Sequence, residues 1–325
     1  LKDQVYCSKL NRISIDKTEL ERGTPSNTEA MASFLTQIIE EDKIWAHRVA
    51  ITLPPQAALS KIIYLPHNLN YKEAIEYVSN PSTSGFQFPI PLENTDFDLI
   101  PLNCLPFNKE KQTKAYFLNS IPKRLVDNLI KTLKDAKLEL HTLDIAYSSL
   151  ERLTNESINK LKENQVFLLI ELSIECTHFY VISSNGPIQV TTLAAIRAFE
   201  TKENYQGEVS IEENTINDSD YLSISDLDLK VLLNEIRLEI SQFKEQFNLE
   251  ICEIILSGIN SAHPGINKLF NDRFKIKTSI LRSMSSSGIG EVNLSTPLVM
   301  QDLNRITGLG LSMIEADDIK HADIK

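Results

Sequence analysis

A chain of 325 residues, 42% hydrophobic and 24% charged, carries enough apolar material for two domain-sized cores and is too apolar to remain unfolded as a whole. Its net charge of -11 argues against a nucleic-acid or anionic-membrane surface, because both require a basic patch. The four cysteines, Cys7, Cys104, Cys176 and Cys252, lie far apart with no CxxC pair, which speaks against a zinc site or a disulfide framework and implies reduced thiols. No apolar run approaches the ~20 residues of a membrane span, so a soluble, cytoplasmic chain is expected. It opens on Leu1 rather than methionine, so an upstream segment is expected. Ten glycines are about half of what ordinary usage of about 7% gives, a poor start for glycine-built phosphate sites.

Alternating apolar residues over Lys2–Ile15 read as one or two strands. Ser26 and Glu29 read as a capping box for a helix whose apolar face is Met31, Phe34, Leu35, Ile38 and Ile39. Strands are predicted at Val49–Leu53 and Leu59–Leu65, ended by Pro54-Pro55 and Pro66, followed by a helix over Tyr71–Val78. Asn80–Pro91 is loop-like, with Phe86, Phe88 and Ile90 along it. Thr95–Leu102 and Thr113–Leu118 read as paired strands around a turn at Asn108–Gln112. Pro122 opens an amphipathic helix, Leu138–Ile145 is a strand, and Tyr147–Lys162 is a helix.

Gln165–Ala194 reads as a hairpin returning through Asn185-Gly186, its first strand apolar enough to be covered on both faces. Acidic residues crowd Thr201–Asp228 with little periodicity, as in a mobile loop. Leu229–Phe247 has the clearest helical periodicity of the chain. A strand at Ile251–Leu256, a helix starting at Pro264, a strand at Ile276–Leu281, a small-residue tract at Ser283–Gly290 and a helix around Leu303–Ile314 complete the order.

Five stretches in this order resemble the PilM-type actin-like proteins of bacterial type IV pilus assembly, relatives of the cell-division protein FtsA. They are Val49–Pro54 with Lys61–Pro66; the proline-aromatic run Phe88–Asp98; Leu125–Leu138 with Thr142–Ile145; Ile255–Gly258 through Pro264–Ile266; and Thr307–Leu311. The resemblance implies an α/β, two-lobed actin-like (ribonuclease H-like) ATPase fold with an FtsA-type insertion subdomain. The first lobe would span 1–164, with the insertion at about 56–138, and the second 165–325, with a small subdomain at about 197–247.

The same resemblance aligns a phosphate loop with Glu171-Leu172-Ser173, and an adenosine loop with Ser257, Gly258 and Asn260. A phosphate loop needs backbone N–H groups at close range, which glycine permits and Ser173 does not. Glu171 could hold Mg²⁺ through water, but Glu175 adds negative charge and the turn holds no lysine or arginine to offset it. A relic turn is therefore favoured over a working ATP/Mg site, with no cofactor expected and no enzyme activity. The six histidines are scattered without a ligand spacing, so no metal site is expected.

By resemblance, the function is that of a cytoplasmic scaffold at the inner face of the plasma membrane. Such a scaffold binds the N-terminal peptide of a PilN-like inner-membrane protein and links the assembly platform to motor ATPases. Phe86, Phe88, Ile90 and Leu92 are the candidate partner-binding residues, near a groove between the first lobe's main body and its insertion subdomain. The alternatives are a nucleotide-binding actin-like ATPase and the cytoplasmic domain of a type II secretion GspL-like protein.

Overall fold

The computed structural model describes residues 13, 15, 19–86, 88, 91–105, 108, 110–173, 176–193, 224–281, 304–306 and 308–313. The chain divides into two compact units, Ile15–Ser149 with Leu309–Lys325, and Leu1–Ser14 with Leu150–Gly308.

The first unit opens with a short hairpin, β1 (Leu20–Glu21) and β2 (Thr24–Pro25), turned by Arg22 and Gly23, both at positive φ as such two-residue turns require. Helix α1 (Thr28–Glu41) follows, and its cap corrects the expected Ser26–Glu29 box. Asn27 is the cap residue, its side chain accepting from the Ala30 amide at 3.1 Å, because the Ser26 amide is committed to the Glu19 carbonyl of the hairpin. Between α1 and strand β3 (Arg48–Leu53), Trp45, the single tryptophan, is 88% exposed.

Strand β4 (Leu59–Pro66) and helix α2 (Tyr71–Val78) come next. Asn70 and Glu73 close a capping box on α2 through bonds of 2.9 and 2.8 Å, which fixes the helix where the sequence places it. A single turn, α3 (Pro81–Ser84), leads to β5 (Thr95–Pro101) and β6 (Thr113–Pro122). Strand β6 is central, antiparallel to β4 on one side and β5 on the other. Ile63, Leu65, Leu99, Tyr116 and Leu118 from one face of this sheet bury Ala74 and Val78 of α2. Helix α4 (Lys123–Asp135), packed on α1, returns the chain to β7 (Glu139–Ile145), which runs parallel to β3. Residues 56–138 are thus an excursion between two paired parallel strands, and such strands need a crossover of this kind.

The predicted helix over Tyr147–Lys162 is broken into α5 (Ala146–Arg152) and α6 (Asn155–Ile158). The Thr154 hydroxyl takes the Glu151 carbonyl at 2.6 Å, competing with the helical ladder at the break.

The second unit is built on β8 (Gln165–Leu172), β9 (Thr177–Ser183), β10 (Gly186–Leu193), β11 (Glu250–Ser257) and β12 (Lys277–Ile280). They form one sheet in the order β10-β9-β8-β11-β12, antiparallel on the β9 side and parallel from β8 through β11 to β12. The expected hairpin is therefore a three-stranded meander whose second turn is Ser184-Asn185, with Gly186, at φ 114°, opening β10 opposite Ser183. Val166 to Ile170 are each 0% exposed, which is why the run lacks polar alternation.

Helix α7 runs Asp226–Phe247, three residues earlier than the periodicity suggests. Ser225 caps it by accepting from the Asp228 amide at 3.0 Å, so Asp226 and Asp228 face the positive end of the helix dipole rather than standing in a loop. Helix α8 (Ile266–Phe274) starts two residues beyond Pro264, since Gly265 takes the left-handed conformation, φ 73°, as its cap. Residues 304–306 and 308–313 are helical. The strands expected before Ile13, the acidic stretch over 201–223 and the small-residue tract lie outside the described residues. No described helix is long and apolar enough to cross a membrane.

Candidate functional site

Two places are candidates for a site. The first is at the ends of β8 and β11, where the registers set Glu171 opposite His178 and Ser257. Glu171 is fully buried, and a buried carboxylate needs a partner. Arg305 supplies it, with Nε at 3.0 Å from Oε1 and Nη2 on the same oxygen. The Tyr180 hydroxyl donates to Oε2 at 3.2 Å. Three of the roughly four acceptor positions of the carboxylate are thereby used.

The neighbours share this low-dielectric setting. Burial, and then the Glu171 charge, push the Tyr180 hydroxyl well above its ordinary range. His178 stacks on Tyr180 at 5.9 Å between ring centroids, with Nε2 3.2 Å from Cys176 Sγ and Nδ1 3.2 Å from Thr192 Oγ1. Burial lowers its pKa; Glu171 opposes the shift and Arg305 reinforces it.

The turn after β8 is closed by its own groups. The Ser173 amide and hydroxyl both donate to the Cys176 carbonyl, at 3.2 and 2.7 Å, and Asn260 Nδ2 donates to the Ser173 carbonyl at 3.2 Å. Gly258, at φ 89°, lies so close to Leu172 that a Cβ there would stand 2.4 Å from the Leu172 carbonyl oxygen. Ser257 Oγ and Asn260 Oδ1 are buried with no hydrogen-bond partner among the described residues.

All five residues aligned with the nucleotide loops, Glu171, Ser173, Ser257, Gly258 and Asn260, thus come together, while Glu175 lies outside the described residues. Arg305 was missed, since it reaches Glu171 from 134 positions away. The signal available was Glu171 itself: a carboxylate inside a continuous apolar strand demands a cation from elsewhere in the chain.

The second place is a cleft of ≈ 350 Å³ between the β3–β7 pair and strands β5 and β6. Leu53, Leu143 and Ile145 line one wall, and Ile100 and Ile121 the other. Asp96, Phe97, Asp98 and Ile100 of β5 border the cleft, while Leu99 is buried in the core on the α2 side.

Phe86, Phe88 and Leu92 do not line this cleft. Phe86 and Phe88 meet edge to face at 4.9 Å and pack on the α2 side of the sheet, Phe88 also touching Phe97 at 5.4 Å. Leu92 begins the turn Leu92–Asn94, and Ile90 lies outside the described residues. Among the described residues no group of acidic, histidine or cysteine side chains is placed to hold a metal ion.

No individually curated protein matches the chain in sequence. In structure it is similar to a solved PilM-PilN type IV pilus biogenesis complex, 18% identical, over 93% of this chain and 90% of that one, with a TM-score of 0.70. It is more distantly similar to MreB5 of Spiroplasma citri bound to ADP, at 14% identity, 93% and 80% coverage and a TM-score of 0.42. The cytoplasmic domain of EpsL, an inner-membrane component of the type II secretion system of Vibrio cholerae, matches at 10% identity, 84% and 79% coverage and a TM-score of 0.36. The α/β architecture is the actin-like fold expected from the sequence, and residues 2–192, more than half of the chain, match the model of the type IV pilus assembly protein PilM: the chain belongs to that family.

Proposed function

We propose that this chain is a cytoplasmic scaffold of the inner-membrane pilus assembly platform that takes the N-terminal peptide of a PilN-like membrane protein into the cleft beside β5, and that it does not turn over ATP. Through that peptide it stands at the inner face of the membrane and links the platform to its motor ATPases. The observation that carries the reading is the open apolar cleft in the Ile15–Ser149 unit, whose ≈ 350 Å³ lies in the range of ligand sites. Among the described residues β5 pairs only with β6, so its outer edge can accept an extended peptide as an added strand. The similar solved structure being a complex of PilM with PilN supports the choice of partner.

The second half of the proposal follows from the other site. Mg²⁺ bound with a nucleotide needs a carboxylate whose oxygens face the metal's waters, whereas Glu171 spends its oxygens on Arg305 and Tyr180. The Ser173 amide, which would face a phosphate, points to Cys176 instead. These residues do not fit Mg-ATP.

The test is fluorescence polarisation with the N-terminal peptide of a PilN-like membrane protein. Binding at micromolar affinity, about -8 kcal/mol, is expected. An Ile100→Asp, Ile121→Asp pair should abolish it, and Phe88→Ala, on the opposite face of the sheet, should not. No binding by the native chain, or equal binding by the folded cleft variant, removes the proposal.

A further inference from the structure

We infer that the outward face of α7 is a self-association surface: a second copy of this chain lays its own α7 against it, the two helices parallel and related by a two-fold axis along their length.

Helix α7 buries one side and leaves the opposite side apolar. Leu229, Leu232, Leu233, Ile236, Ile240 and Phe243 are buried, whereas Leu227, Val231 and Leu238 are 70%, 49% and 53% exposed. With Asn234 between them, the exposed three follow a spacing of four, three and four residues, the seam of a heptad repeat, on the side away from the core. Asn234 Oδ1 accepts from Arg273 Nη2 of α8 at 3.0 Å, so covering the seam does not orphan that oxygen. Leu269, 38% exposed, lies one turn before Arg273 on the same side of α8 and widens the apolar surface.

The charges beside the seam say what covers it. One flank carries Lys230, Arg237 and Lys244 at seven-residue spacing, and the other carries Asp228, Glu235 and Gln242 at the same spacing. Neither Lys230 nor Glu235 has an ion-pair partner among the described residues. When two parallel helices meet along such a seam, opposite flanks face each other, and a residue on the first flank meets the one about five positions later on the other helix. Lys230 then faces Glu235 of the partner subunit, and the two-fold axis repeats the pair on the other side. Antiparallel packing joins like flanks instead and sets Lys230 near Lys244 of the partner subunit, which is repulsive. The face is thus complementary in charge to a parallel copy of itself.

The seam from Leu227 to Leu238 is short, roughly 17 Å at 1.5 Å per residue, which places the association among small, reversible interfaces, with Kd on the order of 10–100 µM.

Sedimentation equilibrium of the full chain from about 2 to about 400 µM tests this. A monomer–dimer equilibrium is expected, weakened about threefold or more when salt rises from about 0.05 to about 0.5 M. Val231→Lys, Leu238→Lys, both at exposed positions, should leave the chain monomeric throughout. Lys230→Glu should weaken the dimer about five- to tenfold, and adding Glu235→Lys should restore it, because the swap re-forms the same pairs in reverse. A native chain that stays monomeric, or a dimer indifferent to Val231→Lys, Leu238→Lys, overturns the inference. A dimer that Lys230→Glu strengthens is antiparallel and overturns it as well. The concentration and salt series on the native chain stand whether or not any variant folds.

Discussion

Replacing Arg305 with alanine leaves the fully buried Glu171 carboxylate with the Tyr180 hydroxyl in place of a cation. Removing one member of a buried ion pair costs about 3–5 kcal/mol, whereas a solvent-exposed pair is worth about 1 kcal/mol or less. The Glu171 side chain is 0% exposed and that of Arg305 33% exposed, so water can reach the vacated side but not the carboxylate. Arg305→Ala should therefore destabilise the Leu150–Gly308 unit by about 2–3 kcal/mol, or about 5–10 °C in melting temperature for a domain of this size. The double variant Glu171→Gln, Arg305→Ala removes both charges, keeps an acceptor for Tyr180, and should recover at least about 1 kcal/mol of the summed losses of Glu171→Gln and Arg305→Ala. Urea unfolding followed by circular dichroism gives all four corners of the cycle. A single-variant loss below about 0.5 kcal/mol, or strict additivity of the two, would refute the argument that Arg305 is what lets Glu171 stay buried.

Gly258→Ala places a Cβ 2.4 Å from the Leu172 carbonyl at a φ of 89°, and should lower stability by about 2 kcal/mol or more in a thermal melt. Burial depresses the His178 pKa, so its neutral form contributes stability above the unfolded value near 6.5 and that contribution is lost as pH falls through the depressed folded value. The melting temperature should therefore drop on acidification, and His178→Gln should flatten the profile. Asn27→Ala removes the acceptor for the Ala30 amide and should cost about 1 kcal/mol, read from urea midpoints. Titration calorimetry with Mg-ATP should show no binding tighter than micromolar; submicromolar affinity, beyond about -8 kcal/mol, would contradict the proposed loss of the nucleotide site.

What was legible in the sequence follows the range of the forces involved. The strands around Asn185-Gly186 and helix α2 were readable because apolar period, turn residues and capping groups all act within a few positions. The cap of α1 was misassigned by one residue because the choice between Ser26 and Asn27 depends on a hairpin amide bond to Glu19. The start of α7 was hidden by charge: Asp226 and Asp228 look like loop residues until Ser225 is seen capping them into a first turn. At the candidate sites, the five loop residues could be grouped by resemblance, yet their chemistry depended on Arg305, which local pattern cannot supply. The cleft was half visible, because the alternation from Thr95 to Leu99 shows two faces but not what stands opposite Asp96.

The position of Trp45 decides how this protein can be watched. Its indole, 88% exposed, is already bathed in water in the folded chain, so unfolding changes its surroundings little, and its emission is a poor gauge of whether the cores are intact. That weakness makes it a clean reporter of something else. With no second tryptophan to obscure it, a shift in emission would signal that another molecule has covered the stretch between α1 and β3, and docking there could be followed separately from stability.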